Sequence, residues 1–314
     1  MTTFGGVIPI LATPFLSDDE ALDLESWARL IEFMIGLGVD GLTILGVLGE
    51  SNRLTDQERQ ALIQTAVAVV RTRVPVIVGA SHSGTRAAGE LARTAEDLGA
   101  DAVMIAPGKE PVPSDDRIVE TYQRIAGGLG IPIVLQDHPA STEVHLSVAV
   151  MLRLVREVGA IQCIKEEAVP TAPKIRQLRG DASARPLPIL TGLGALYAPF
   201  DLEAGSDGFN TGFAFPEVLI AMVAAARAGQ WARVHDLYSR FAELIVLEQQ
   251  PGVAVRKEIL RRRGVLASSR ARHPGASISA PMAAQVESVL ARTLPGVDIT
   301  RPIVVDDVWH TSPL

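Results

Sequence analysis

Cysteine is almost absent: the 314-residue chain has one, Cys163, inside an apolar run. A single thiol forms no internal disulfide, which excludes a disulfide-stapled scaffold and leads us to expect a reducing compartment. No cysteine–histidine cluster has the spacing of a metal site, so the expectation is chemistry without a metal or organic cofactor. Apolar runs fall short of the roughly 20 residues of a membrane span. The opening, Met1-Thr2-Thr3-Phe4-Gly5-Gly6, lacks the basic start and apolar stretch of a secretory signal, and a cytoplasmic protein is expected. Positive charge is not in excess either. The 29 basic residues are mostly scattered among 36 acidic ones for a net charge of −7, so neither nucleic acid nor a membrane surface is expected as a partner. The one basic cluster, Arg261-Arg262-Arg263, reads as a solvated helix face.

What is present is a large apolar content, 47% hydrophobic against 21% charged, enough for one sizeable α/β barrel or two ordinary domains. Short β-rich runs alternate with segments of helical period. The runs are 7–12, 39–45, 76–80, 102–105, 131–135, 161–164, 189–190 and 208–213, with Pro186 and Pro188 shortening the seventh. Helical spacing is predicted at 22–37, 56–71, 85–98, 114–127, 147–158, 172–178, 195–204 and 216–228. Eight such units in about 225 residues match a closed parallel (β/α)8 barrel, typically about 250 residues long. Beyond Gly229 the pattern is helical alone, at 231–248, 253–263 and 281–294. The expected division is a barrel over 1–228, a helical appendage over 229–300 and a tail over 301–314.

The chain is organised around Ile161-Gln162-Cys163-Ile164-Lys165-Glu166-Glu167, an apolar strand that ends on an amine and two carboxylates. The C-terminal end of a parallel strand is where barrels do their chemistry. A desolvated amine there has its pKa pushed down, and its neutral form attacks a carbonyl to give a Schiff base. On this strand alone, a lysine merely paired with its neighbouring glutamates explains the residues as well. The other strand ends supply Thr13, the 46–51 loop, Ser81-His82-Ser83, Lys109-Glu110, Gln136-Asp137-His138, Gly192-Leu193-Gly194 and Asn210-Thr211-Gly212. Gly46 and Gly49 allow a tight turn whose amides would seat a carboxylate.

These residues bring a resemblance into view. Ala12-Thr13-Pro14-Phe15, Gly46-x-x-Gly49-Glu50-Ser51 with Leu54-Thr55-x-x-Glu58, Ile164-Lys165-Glu166 and the glycine-rich eighth strand resemble the dihydrodipicolinate synthase / N-acetylneuraminate lyase family. The likeness runs from about Phe4 to the C-terminal helices. It implies a (β/α)8 barrel with C-terminal helices, a homo-oligomer (commonly a tetramer, otherwise a dimer), and an imine between Lys165 and a small 2-oxo acid such as pyruvate. The substrate carboxylate would lie on the loop from Gly46 to Ser51.

The departures carry equal information. The paired threonines of the family's loop are Val47 and Leu48, which keep the amides and lose the hydroxyls. The strand-five tyrosine is Gln136, whose amide cannot exchange protons as a phenol does, and the tyrosines after the strand-four proline are Gly108 and Lys109. The synthase branch's arginine is missing from Ala140-Ser141-Thr142, which disfavours dihydrodipicolinate synthesis. The expectation is therefore a 2-oxo acid aldolase or dehydratase with another proton carrier, His138 first, then Asp137, His82 and Lys109. Thr13, Gly46, Val47, Leu48, Gln136, Gly192, Asn210 and Thr211 are expected around the substrate, with Glu50 and Glu166 orienting the loop and the amine. The alternatives are a true synthase and a 2-oxo acid binder without turnover.

Overall fold

The computed structural model describes residues 4–111, 114–181, 185–250 and 252–306, so the last eight residues of the predicted tail lie outside the described ones. Eight parallel strands run in hydrogen-bonded order β1-β8-β7-β6-β5-β4-β3-β2. They are β1 (Gly6–Val7), β2 (Leu42–Ile44), β3 (Val76–Gly79), β4 (Ala102–Ile105), β5 (Ile133–Asp137), β6 (Ile161–Glu166), β7 (Ile189–Thr191) and β8 (Gly208–Phe209). The two ends of this order meet through a parallel bridge between Ile10 and Thr43, where Thr43 N–H donates to Pro9 O and Leu11 N–H to Thr43 O. That contact closes the barrel.

Strand one is much shorter than the run 7–12 that predicts it, because Pro9 brings no N–H to a ladder. The same reasoning moves β5. Pro132 cannot donate, so the ladder begins at Ile133; it runs on through Gln136 and Asp137, which lie beyond the apolar run 131–135. Their register partners are Lys165 and Glu166.

Between the strands come α1 (Leu24–Gly36), α2 (Asp56–Val70), α3 (Thr85–Asp97), α4 (Asp115–Ala126), α5 (Pro139–Thr142), α6 (Val148–Glu157), α7 (Thr171–Gly180), α8 (Ala198–Glu203) and α9 (Pro216–Arg227). Their starts follow capping chemistry. Asp23 accepts from Ser26 N–H at 2.9 Å, and Thr55 and Glu58 cap each other's backbone at the head of α2. The single turn α5 is too short to show a periodicity and lies outside the predicted helices.

Alternation along the strands sorts the core into two layers. Ile8, Ile77, Ala102, Met104, Val134, Cys163 and Leu190 fill the lumen with Phe4, while Ile44, Val78, Val103, Leu135, Ile164 and Ile189 pack against the helices. Carboxylates stitch the opposite rim: Asp40, Asp101 and Asp207 accept from Val7, Val76 and Ile189 N–H at 2.7–2.8 Å.

After the barrel come α10 (Trp231–Leu247), α11 (Ala254–Arg262) and α12 (Ala280–Thr293). Helix α10 packs on α8, α9 and α12. One expectation fails here. Arg263 is no part of a solvated face: its side chain is fully buried, ion-paired with Glu217 and stacked over Phe33 and Phe215 at 4.7 and 4.4 Å. A guanidinium can be buried where a carboxylate and aromatic faces replace its water.

Candidate active site

Residues two apart on a strand face the same way, so Lys165 follows Cys163 toward the lumen and Glu167, just past the end of β6, lies on the same side. Lys165 is 1% exposed and its Nζ sits 3.1 Å from Glu167 Oε2. Gln136, inward-facing on β5, donates from Nε2 to that same oxygen at 2.7 Å. Glu167 Oε1 accepts from Leu193 N–H at 3.4 Å. A Cβ built on Gly192 would lie 1.9 Å from Oε1, so only glycine leaves room for this carboxylate.

Burial would raise the pKa of Glu167. The opposing pull of the Lys165 ammonium, joined by the Gln136 amide hydrogen bond, holds the carboxyl below its usual range. The carboxylate is therefore ionised in the resting protein. His138 begins α5 and shares a 2.6 Å contact between Nδ1 and Ser141 Oγ. Burial pushes its pKa down and Lys165 adds to this, while Glu167 and Asp137 pull the other way. The net result is a neutral imidazole within electrostatic reach of both the amine and the carboxylate.

Asp137 and Glu166 emerge on the other face. Neither is solvent-exposed, and both pair with Lys174, on the first turns of α7. The geometry gives Asp137 no contact with Lys165, so its nomination as a proton carrier gains no support. The reason is the strand period: a residue next to the inward Gln136 must point outward.

The loop after β2 forms two short 3-10 turns, Val47–Gly49 and Ser51–Arg53. Thr13 is buried and donates from Oγ1 to Gly49 O at 2.6 Å. Gly46 caps the first turn, Val47 is 55% exposed, and the Leu48 side chain fills the space over Gly212. Glu50 points away, onto Lys257 of α11 at 2.5 Å and Arg53 at 2.6 Å, and accepts from Arg272 N–H at 3.0 Å, thereby fastening the loop to the C-terminal region. Burial brings Lys257 down to about 8 against the pull of Glu50.

Asn210 donates from Nδ2 to Ile8 O and Thr43 Oγ1, both at 2.8 Å, across the closure of the barrel. Thr211 Oγ1 accepts from Gly194 N–H at 2.7 Å, which ties β8 to the loop after β7. His82 and Lys109 are not brought to Lys165. They line a separate cavity of about 480 Å³ with Thr85, Tyr122 and His145, and Lys109 pairs with Glu143.

Sequence reasoning missed two groups here. Glu167 was available from its i, i+2 relation to Lys165. Lys174 had no comparable signal, since its partners come from two strands. Among the described residues, no group of three or more histidine, cysteine, aspartate or glutamate side chains is placed to hold a metal ion. Nor is any helix of the described residues long and apolar enough to cross a membrane.

A parallel barrel with a buried amine beside an ionised carboxylate at its C-terminal rim falls in the class of imine-forming lyases. Residues 3–293 match the Dihydrodipicolinate synthetase family, and the chain belongs to that family. It is 35% identical over 297 residues to the L-2-keto-3-deoxyarabonate dehydratase of Azospirillum brasilense, covering 92% of this chain and 94% of the relative. It is 31% identical over 239 residues to a 4-hydroxy-tetrahydrodipicolinate synthase of Chlorobium chlorochromatii, covering 76% of this chain and 79% of that one. A solved dihydrodipicolinate synthase from Rhodopseudomonas palustris superposes with a TM-score of 0.87 at 37% identity, over 92% of this chain and 97% of that chain. The chain is a Schiff-base lyase of the class I aldolase type.

Proposed function

We propose that the chain is a carbon–oxygen lyase: it forms an imine between Lys165 and a 2-oxo acid that carries a hydroxyl on carbon 4, and eliminates that hydroxyl as water. The observation that carries this reading is the ionised Glu167 carboxylate 3.1 Å from Lys165 Nζ, in a site whose tyrosine position is occupied by Gln136. The chemistry follows from the pairing. While the amine is charged, it holds Glu167 as a weak base. Once the amine passes its proton to Glu167 and attacks carbon 2, burial is what remains, and the carboxyl becomes a buried acid. It supplies the proton with which the carbinolamine hydroxyl leaves as water, giving the iminium on Lys165.

The resulting iminium is an electron sink. Regenerated carboxylate then takes a proton from carbon 3, and the enamine so formed pushes out the carbon 4 hydroxyl, which departs as water with a proton from Glu167 or through His138. Hydrolysis of the unsaturated iminium frees Lys165. Gln136 orients the carboxylate and cannot itself carry a proton. The amides of the loop from Gly46 to Leu48 are the proposed seat of the substrate carboxylate, with Val47 and Leu48 making an apolar wall.

The name of the dehydratase relative supports elimination over aldol cleavage, and suggests a 2-oxo-3-deoxy sugar acid of the L-2-keto-3-deoxyarabonate kind as the substrate. Synthase activity is favoured by the names of other relatives but opposed by Ala140-Ser141-Thr142, which offers no cation to a second carboxylate. The remaining parts of the reading are residues 1–228 as the unit bearing the site, residues 229–300 as an appendage fastening its loops, pyruvate as the minimal imine partner, a homo-oligomer, tetramer or dimer, and a cytoplasmic setting. Family membership supports pyruvate and a homo-oligomer among these.

The test is borohydride trapping with pyruvate, read by intact mass, alongside product analysis with L-2-keto-3-deoxyarabonate. The native chain is expected to gain one reduced adduct that Lys165→Ala does not, and to release a dehydrated 2-oxo acid. Labelling of both proteins alike would remove Lys165 from the mechanism. Pyruvate and an aldehyde as products would make the enzyme an aldolase, and labelling without turnover would make it a binder.

A further inference from the structure

Behind the strand ends that carry Gln136 and Lys165 lies a second, closed cluster. Asp137 and Glu166 are register partners on β5 and β6, so their side chains leave the same face of the sheet on neighbouring strands about 4.8 Å apart. Both are fully buried. Lys174 reaches over from α7, pairs with Asp137, stands 3.6 Å from Glu166 Oε2 and donates to Leu146 O at 2.7 Å. Glu166 Oε1 accepts from Ala168 N–H at 2.8 Å. Two atoms are left over: Asp137 Oδ1 and Glu166 Oε2 are buried without a hydrogen-bond partner.

Two carboxylates against one ammonium leave a net negative charge out of reach of water, and two orphaned acceptors beside it. Each of these is costly alone. One proton cures both. We propose that Asp137 and Glu166 share a proton, and that this neutral unit with Lys174 is a positioning device that holds the ends of β5 and β6, and hence Gln136 and Lys165, in catalytic register.

Other groups facing the pair agree with a proton residing on Glu166. Burial raises that carboxyl to about 8, opposed by Lys174 and the Ala168 amide and supported by the charges of Asp137 and Glu167. From α4, the buried Tyr122 hydroxyl feels Asp137 as well, but it donates to Ile105 O and stays protonated. His138, next along the chain from Asp137, is held neutral. As pH rises through about 8 the shared proton leaves, like charges face each other across two strands, and the register of the catalytic pair loosens.

The infrared carbonyl stretch of a buried carboxylic acid tests the proton itself, independently of whether the lyase reading is right. In native-minus-Glu166→Gln difference spectra, which cancel the other raised carboxyls Asp201 and Glu248, it is expected at about pH 7 and absent at about pH 9.5. No difference band at about pH 7, or one that persists at about pH 9.5, overturns the proposal. The positioning role is read from kcat against pH with L-2-keto-3-deoxyarabonate. The native rate should fall about tenfold per pH unit above about 8, whereas Glu166→Gln, whose amide mimics the protonated acid, keeps its neutral-pH rate within about threefold and loses that limb. Superimposed alkaline limbs, or a folded Glu166→Gln that is inactive at every pH, refute it.

Discussion

Replacing Glu167 with glutamine is the sharpest perturbation of the site. The side chain keeps its shape and its one remaining oxygen can accept from Gln136 or from Leu193 but not from both, and it loses the charge and the ability to take a proton. At 3.1 Å and an effective dielectric of about 20, the attraction lost between Lys165 and position 167 is about 5 kcal/mol before desolvation is counted. Removing the charge also removes the desolvation penalty of a buried carboxylate, and Lys165 can shed its proton instead of staying buried and unpaired, so the net cost falls below the about 3–5 kcal/mol of a broken buried pair. The effect on stability should be a modest loss, and the effect on rate a large one. A positioned acid–base group contributes about 10²–10⁴-fold, or about 3–5.5 kcal/mol of barrier. Dehydration of L-2-keto-3-deoxyarabonate should therefore fall by that factor in Glu167→Gln, while prolonged borohydride treatment with pyruvate still labels Lys165. This split separates proton transfer from imine capture. A kcat within about threefold of the native value would refute the assignment of Glu167, and a loss of labelling after long incubation would show that the residue only shapes the amine.

Two further predictions draw on other parts of the structure. Gly192→Ala places a methyl where the Glu167 carboxylate now lies, 1.9 Å from Oε1, so kcat should drop about 100-fold with an unchanged circular dichroism spectrum; a native rate would show that the loop yields without disturbing the site. At the other side of the rim, the Arg272 guanidinium holds Glu58 down to about 2 with help from the Thr55 backbone, against burial. A depressed folded pKa means stability that is present above the unfolded value near 4.5 and lost as pH falls toward 2. Arg272→Gln should flatten the acid limb of the urea-denaturation midpoint across that window, and an unchanged limb would assign acid unfolding to other carboxylates.

The alternation of apolar runs and helical segments is enough to read the barrel from the sequence, because each strand and helix is specified by local periodicity. The amine at the end of β6 is equally legible, since an apolar strand that ends on a lysine is conspicuous in one dimension. What stays hidden depends on partners far along the chain. Arg263 looks like the third residue of a basic surface run until Phe33, Phe215 and Glu217 enclose it. Lys109 and His82 follow strand ends as active-site residues do, yet their loops lean toward a cavity between helices, and no spacing rule records that lean.

Asp137 and Glu167 are a different case, because the rule that separates them was available. Alternation along β5 sends Gln136 and Asp137 to opposite faces, and along β6 it sends Lys165 and Glu167 to the same one. Nominating carboxylates by nearness to a rim selects Asp137; nominating them by parity with the lysine selects Glu167. Parity has the stronger physical basis, since the pleat fixes the face of a side chain within the strand whereas the position of the rim depends on where the ladder stops. Here it stops two residues later than the proline-bounded run suggests. A catalytic partner for a strand-end lysine is thus best sought first at even offsets on its own strand and at the residue directly across the ladder, which in this chain are Glu167 and Gln136.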